Sequence, residues 1–215
     1  MQEDNNQTGF QLTKGKKSIL FPGAFIVFIW LVYLSQTTFN MPFAHYGILP
    51  RTVQGIAGIL SAPLIHADFA HLVSNTPTLL ILSITVIYFY TSSSLKVLGS
   101  IYLLTGIFVW LFARPVYHIG ASGLIYGLLG FLFFSGVFKR DNRSIAIALL
   151  ITFLYGGLIW GVLPGAKGVS WESHLFGGIS GIIIAFIFRK EDPYIKYDWE
   201  REEIEEISNE DNSSG

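Results

Sequence analysis

The chain has 215 residues, 51% of them hydrophobic and only 13% charged, with a mean hydropathy of +0.50 and a net charge of -1. A soluble domain carries about a quarter charged residues, so this composition excludes one and indicates an integral membrane protein. The near-neutral balance and an acidic stretch at residues 200–211 argue against a nucleic-acid partner; the absence of cysteine excludes disulfides, thiolate metal ligands and a cysteine nucleophile.

Residues 1–13 are polar, and no small-residue cleavage pattern follows the first apolar run, so no removable secretory signal is expected. Six apolar runs then fit helical spans: residues 19–35, 69–90, 95–113, 122–138, 144–163 and 174–188. The fourth and sixth are short, and each begins at a polar cluster. That pattern suits helices that start below the membrane surface from loops dipping into the bundle, where irregular backbone is tolerated only against protein or a wet cavity. Eleven lysines and arginines flank one side of this arrangement, among them Lys14, Lys16, Lys17, Lys96, Lys139, Arg140, Arg143, Arg189 and Lys190; Arg51, Arg114 and Lys167 lie on the other. The positive-inside rule therefore places both ends in the cytoplasm, in agreement with an even number of spans.

The segment 36–68 joins the first two spans on the outer side. It is largely apolar, but Pro42, Pro50, Pro63, Gly47, Gly55 and Gly58 interrupt it. It reads as a loop of short helices lying partly in the outer leaflet. The expected organisation is a cytoplasmic segment 1–17, one six-span unit 18–190 and a solvated, charged tail 191–215.

Spans two, four and six run inward from the outer face, so their first turns share one depth. Those turns carry His71 and Asn75, Ser122, and His174. Polar groups inside a membrane are costly and call for a function. Ser122 lies between Gly120 and Gly123, whose small size lets another backbone approach the hydroxyl, and a helix start supplies free N–H groups for a developing anion. Alone, the pattern reads first as a capping serine. His174 is followed by Gly177, Gly178 and Gly181 on its own helix face, and span four has a matching stripe at Gly123, Gly127 and Gly130. Two such stripes predict close packing of spans four and six, bringing Ser122 and His174 within reach. Taken singly, His174 reads equally well as an interfacial histidine bonded to a loop carbonyl. Tyr126, one turn below Ser122, is placed to pack on the imidazole. Asp68 is placed to cap the second span, and Glu172 faces away from His174 if the helix has already begun, so a dyad fits better than a triad. His71 and Asn75, four residues apart, could serve an oxyanion together with the Ser122 amide. His66, His71 and His174 also suggest a zinc site, but there is no His-Glu-x-x-His pattern and Asn75 is a poor ligand; no metal or cofactor is expected.

With these residues in place, the chain resembles the rhomboid family of intramembrane serine proteases. The resemblance rests on residues 66–75 (His66-Ala-Asp-Phe-Ala-His71-Leu-Val-Ser-Asn75), on Gly120-Ala-Ser122-Gly123 with Tyr126, on His174-Leu-Phe-Gly177-Gly178, and on the outer segment from Leu49 to Pro63. It implies an all-α, polytopic six-span bundle with a membrane-associated outer loop. It also implies Ser122 as nucleophile, His174 as general base, and His71, Asn75 and the Ser122 amide as the oxyanion hole. Tyr126 then supports His174, and His66 has a structural or water-retaining role. Inactive relatives typically lack the serine or the histidine, and both are kept here. One departure is Pro50, which precedes Arg51 where some members carry tryptophan. The expected substrates are single-span membrane proteins cut near the outer face, in a bacterial plasma membrane. A non-enzymatic module that escorts other helices by the same glycine faces is the first alternative. A histidine-based transporter is the second, weakened by the scarcity of acids within spans and by the lack of matching broken helices.

Overall fold

The computed structural model describes residues 2–165 and 168–194. Seven α-helices are formed among them: α1 Gln2–Thr38, α2 Val53–Ser61, α3 Phe69–Phe89, α4 Ser94–Phe112, α5 Ser122–Lys139, α6 Asn142–Tyr155 and α7 Trp171–Ile187. No strand is present among the described residues; an isolated antiparallel bridge joins Ile48 to His118. Among the described residues, five stretches are long and apolar enough to cross a membrane: Ser18–Thr38 within α1, α3, α4, α5, and Asn142–Val162, which is α6 and its continuation. The sixth expected span is α7, at 17 residues about 25 Å long and shorter than a typical 30 Å hydrocarbon core.

Local chemistry sets most of the ends. Asp68 caps α3 by accepting from the His71 amide at 2.8 Å, Asp141 caps α6 through Ser144 N–H at 2.9 Å, and Thr52 caps α2 through Gly55 N–H at 3.0 Å. Two boundaries depart most widely from expectation. Helix α1 runs back through the segment expected to precede it, because nothing before Pro22 stops the turn; Gly9 and Gly15 cost helix without ending it. The fifth span does not stay α-helical to residue 163. It tightens into a 3₁₀ helix over Gly156–Val162, where Gly156, Gly157 and Gly161 give the backbone little reason to hold α geometry.

The axis of the bundle is α5. Half of its apolar window is buried, against 17% in α1 and in the α6 stretch, whose Leu149, Phe153 and Trp160 face outward as lipid-facing residues should. Leu124, Ile125, Leu128, Phe131 and Leu132 of α5 form the centre of a core with Leu72, Leu79, Leu82 and Val86 of α3, Val97 and Ile101 of α4, and Ile184 of α7. Helices α5 and α7 meet backbone to backbone: a Cβ added at Gly177 or Gly181 would run into the carbonyls of Gly123 and Gly127. On the other flank, α1 rests on α3 through the Trp30 indole, which donates to Thr76 Oγ1 at 3.1 Å and meets Phe69 edge to face.

The segment 36–68 folds as the expected series of short helices, Phe43–Tyr46, α2 and Ala62–Leu64. Arg51 ties it down. In a left-handed conformation (φ 58°), it donates from Nη1 to the carbonyls of Ala113 at 2.7 Å and Leu111 at 3.2 Å, at the C-terminal end of α4. The Trp110 indole donates to Thr52 O at 2.9 Å, so the contacts of Arg51 are settled without a neighbouring tryptophan at position 50. Gly55 and Gly58 let α2 lie directly on the backbone of Leu49 and Gly47. At the opposite end of the bundle, the Asp192 carboxylate accepts from the amides and hydroxyls of Ser92 and Ser93, while Lys139 and Arg143 donate to its carbonyl. The charged tail beyond Tyr194, and Lys167, lie outside the described residues.

Candidate active site

Ser122 is the first residue of α5, and the chain reaches it through a constrained turn. Gly120 has φ 105°, its amide donates to Ala62 O at 2.8 Å, and a Cβ there would lie 2.6 Å from the His71 ring. Both restrictions favour glycine. The amides that open α5 have no acceptor within the helix and sit at its positive end.

His174 lies in the first turn of α7, and the α5–α7 contact brings its Nε2 to 2.9 Å from Ser122 Oγ. Its other nitrogen, Nδ1, faces the Gly161 carbonyl at 2.8 Å. A carbonyl only accepts, so the ring proton is on Nδ1; Nε2 is then the acceptor for the Ser122 hydroxyl. Tyr126 stacks on this imidazole, with ring centres 4.1 Å apart and planes 7° from parallel, and its hydroxyl donates to Leu158 O at 2.7 Å. Both accepting carbonyls belong to the 3₁₀ continuation of α6. Sequence reasoning missed Leu158 and Gly161, because a backbone carbonyl has no signature of its own. The glycines at 156, 157 and 161 were the available signal. A side chain at position 161 would strike the Tyr126 hydroxyl and come within 3.2 Å of His174 Nδ1.

From α3, Asn75 and His71 line the same cavity as Ser122, Tyr126 and His174, a space of about 960 Å³ that also meets residues of the loops around 67–68, 114–119 and 168–170. Asn75 is 7% exposed and its amide nitrogen has no hydrogen-bond partner. A buried donor left unpaired costs about 1–3 kcal/mol, a cost that a ligand oxygen would relieve. His66 is fully buried; its Nε2 faces the Ala121 amide at 3.5 Å and its ring meets His71 edge to face at 5.0 Å. Burial and then the neighbouring His71 hold its pKa down at about 4, against the opposing pull of the Leu64 backbone and Asp68, so it is neutral at physiological pH. Gly178 borders open space on α7, whereas Gly123 and Gly177 are packed between α5 and α7.

A second polar group borders the cavity. Helix α7 begins three residues earlier than expected, at Trp171, because Ser170 caps it by accepting from Ser173 N–H. Glu172 is therefore inside the first turn. It points away from His174 to Arg114, whose Nε lies 2.7 Å from its Oε1. Arg114 also donates from Nη2 to Val169 O at 3.1 Å. His118 Nε2 donates to the Arg114 carbonyl at 3.0 Å, which leaves its Nδ1 to accept from Ser170 Oγ, and burial lowers the pKa of this ring. Among the described residues, no three His, Asp or Glu side chains are grouped to hold a metal ion.

Comparison with known proteins follows the same lines. A model of the Rhomboid domain matches residues 54–191. An uncharacterized protein of Mycobacterium tuberculosis is 34% identical over 189 residues, covering 82% of this chain and 79% of its own. Another, from Mycobacterium leprae, is 35% identical over 172 residues, covering 76% and 68%. RHOMBOID-like protein 4 of Arabidopsis thaliana is 30% identical over 147 residues, covering 64% of this chain and 36% of its own.

Proposed function

The chain is an integral membrane protein that belongs to the rhomboid family, and from that premise we propose that it is an intramembrane serine endopeptidase acting on single-span membrane proteins. The observation that carries the reading is the 2.9 Å approach of His174 Nε2 to Ser122 Oγ, with Nδ1 occupied by the Gly161 carbonyl. That pairing gives a serine with a base in hydrogen-bond reach and a base whose tautomer is set by a third group.

In the proposed reaction the Ser122 hydroxyl attacks a peptide carbonyl while His174 Nε2 takes its proton. The oxyanion is received by the unpaired Asn75 amide, His71 and the Ser122 N–H at the head of α5. His174, held by the Tyr126 ring and the Gly161 carbonyl, then passes its proton to the leaving amine. Water from the cavity, activated in turn by His174, hydrolyses the acyl-enzyme and restores Ser122. The cavity is lined on one side by the loops that join the spans, so cleavage takes place near the face opposite the lysine-rich ends, with both termini cytoplasmic in a bacterial plasma membrane. Gly120 and Gly123 beside the nucleophile favour small substrate residues at the cut, in a substrate helix that has unwound.

The test is cleavage of a single-span reporter by the purified full chain in detergent. The reading expects cleavage by the wild type and none by Ser122→Ala or His174→Ala at unchanged Tm. A folded wild-type protein that binds the reporter without cutting it would instead support the helix-escort alternative.

A further inference from the structure

The packing of α5 on α7 fixes how the two helices lie, but Ser122 and His174 both sit in first turns, where position depends on how each loop enters its helix. The loop before Ser122 runs from Ala113 to Ala121; the loop before His174 ends at Ser170. These two loops are joined to each other directly. From the first, Arg114 pairs with Glu172 at 2.7 Å and donates to Val169 O at 3.1 Å. His118, also from the first, is anchored on the Arg114 carbonyl at 3.0 Å and meets Ser170, whose hydroxyl is 2.7 Å from that of Ser173. The backbone of His118 pairs in both directions with Ile48, so the loop is held from its other side as well.

The Glu172 side chain is only 4% exposed. A carboxylate buried to that degree needs a fixed counter-charge, and Arg114 is the ion pair it has. Arginine suits this position because its guanidinium can lie beside a carboxylate while donating to a carbonyl; here it donates to Val169 O and meets Glu172 at ion-pair distance, and neither Glu172 oxygen accepts a hydrogen bond. None of these side chains is hydrogen-bonded to Ser122 or His174.

We infer that Arg114 and Glu172 are positioning residues: their ion pair, seconded by the His118–Ser170 contact, locks the turn that carries His174 to the loop that delivers Ser122 and so holds the pair in reacting register. The inference rests on the proposed hydrolytic reading. It predicts that loosening the pair shifts the two first turns by a fraction of an ångström while the helix packing beneath survives. Reaction rate is lost and substrate binding is kept, because the cavity wall is otherwise unchanged.

The experiment measures kcat, KM and Tm for the full chain in detergent, in the variants Arg114→Gln, Glu172→Gln, the two combined, and Arg114→Lys. Each neutral variant is expected to lose about tenfold in kcat with KM within about twofold, a fraction of the hundredfold that a full ångström can cost. The combined variant should be no slower than the worse single one, because the two groups act as a unit. Arg114→Lys keeps the charge but cannot both face Glu172 and donate to Val169 O; it should fold as the wild type does and fall between the wild type and Arg114→Gln in kcat. Wild-type kcat in Arg114→Lys overturns the inference even if the neutral variants fail to fold. So does a rise in KM at constant kcat, which would make Arg114 a substrate contact, and so does a multiplicative loss in the combined variant. A wild-type chain that does not cleave at all refutes the hydrolytic reading instead, so the two failures are separable.

Discussion

Two adjacent glycines in α7 have opposite surroundings, and alanine at each should have opposite effects. At Gly177 a Cβ would lie 3.0 Å from the Gly123 carbonyl carbon and 3.2 Å from the Gly127 nitrogen, with the Gly123 oxygen nearer still. Ordinary contact requires about 3.5 Å or more, so α7 must retreat from α5 by about 1 Å. The obstacle is backbone, which cannot rotate aside. His174 is one turn away on the same face, so the 2.9 Å contact to Ser122 opens toward about 4 Å and the hydrogen bond is lost. Misplacement by about an ångström costs about a hundredfold in rate. The stability cost is about 1–3 kcal/mol for overpacking, offset by about 1 kcal/mol of helix propensity, so Gly177→Ala remains folded. At Gly178 nothing lies within 4 Å of the added atom. Gly178→Ala should therefore keep the wild-type rate and gain up to about 1 kcal/mol in stability. Reporter cleavage and thermal unfolding in detergent, run on both variants in parallel, read the contrast. Wild-type kcat in Gly177→Ala, or an equal loss in Gly178→Ala, refutes the argument from α5–α7 contact.

Asn75→Ala removes the buried, unpaired donor of a residue that lines the cavity and should lower kcat about a hundredfold or more, equivalent to about 3 kcal/mol, with little change in Tm; steady-state kinetics on the reporter check this. Tyr126→Phe keeps the stack on His174 but leaves the Leu158 carbonyl without its donor, so a loss of about 1 kcal/mol in stability and less than tenfold in kcat is expected from unfolding and rate measurements. His66 has a pKa lowered from 6.5 to about 4 in the folded chain, so the unfolded chain binds a proton first and stability falls as pH drops from 6.5 toward 4, by about 3 kcal/mol in all. Tm followed between pH 7 and pH 4.5 should decline less in His66→Asn than in the wild type. For Asp192, burial pushes the carboxyl up, but the hydroxyls and amides of Ser93 and Ser92 outweigh it and the net shift is downward. Its contribution is therefore present above the ordinary carboxylate range and lost below it; Asp192→Ala should cost about 1–2 kcal/mol at pH 7, read as a fall of a few degrees in Tm, and little at pH 3.

The ends of α3, α4 and α5 fall within one residue of what the sequence suggests, because physical markers stand there: Asp68 as a cap, Gly120 as a turn, Lys139 and Arg140 as charges that stay out of the bilayer. The facing glycine stripes likewise forecast the α5–α7 contact, and with it the neighbourhood of Ser122 and His174. The end of α6 was hidden because Leu158, Ile159 and Trp160 keep the apolar pattern going while glycines change the backbone beneath it. The carbonyls of Leu158 and Gly161 were hidden for the same reason, since hydropathy describes side chains. The Arg114–Glu172 pair could not be read because one residue lies in the loop before α5 and the other in the first turn of α7, and only the assembled bundle turns one toward the other. Glu172 was placed correctly as facing away from His174; what it faces instead required the fold.

The account stands on the hydroxyl of Ser122 being activated by His174, and the most direct measurement is site-mapped covalent labelling. The purified full chain is treated with a fluorophosphonate and the modified residue is identified by tandem mass spectrometry, in the wild type and in a folded His174→Ala variant. The account predicts one phosphonylated residue, Ser122, in the wild type and no adduct in His174→Ala. An adduct at another serine, or labelling of Ser122 that proceeds equally without the imidazole, would contradict it.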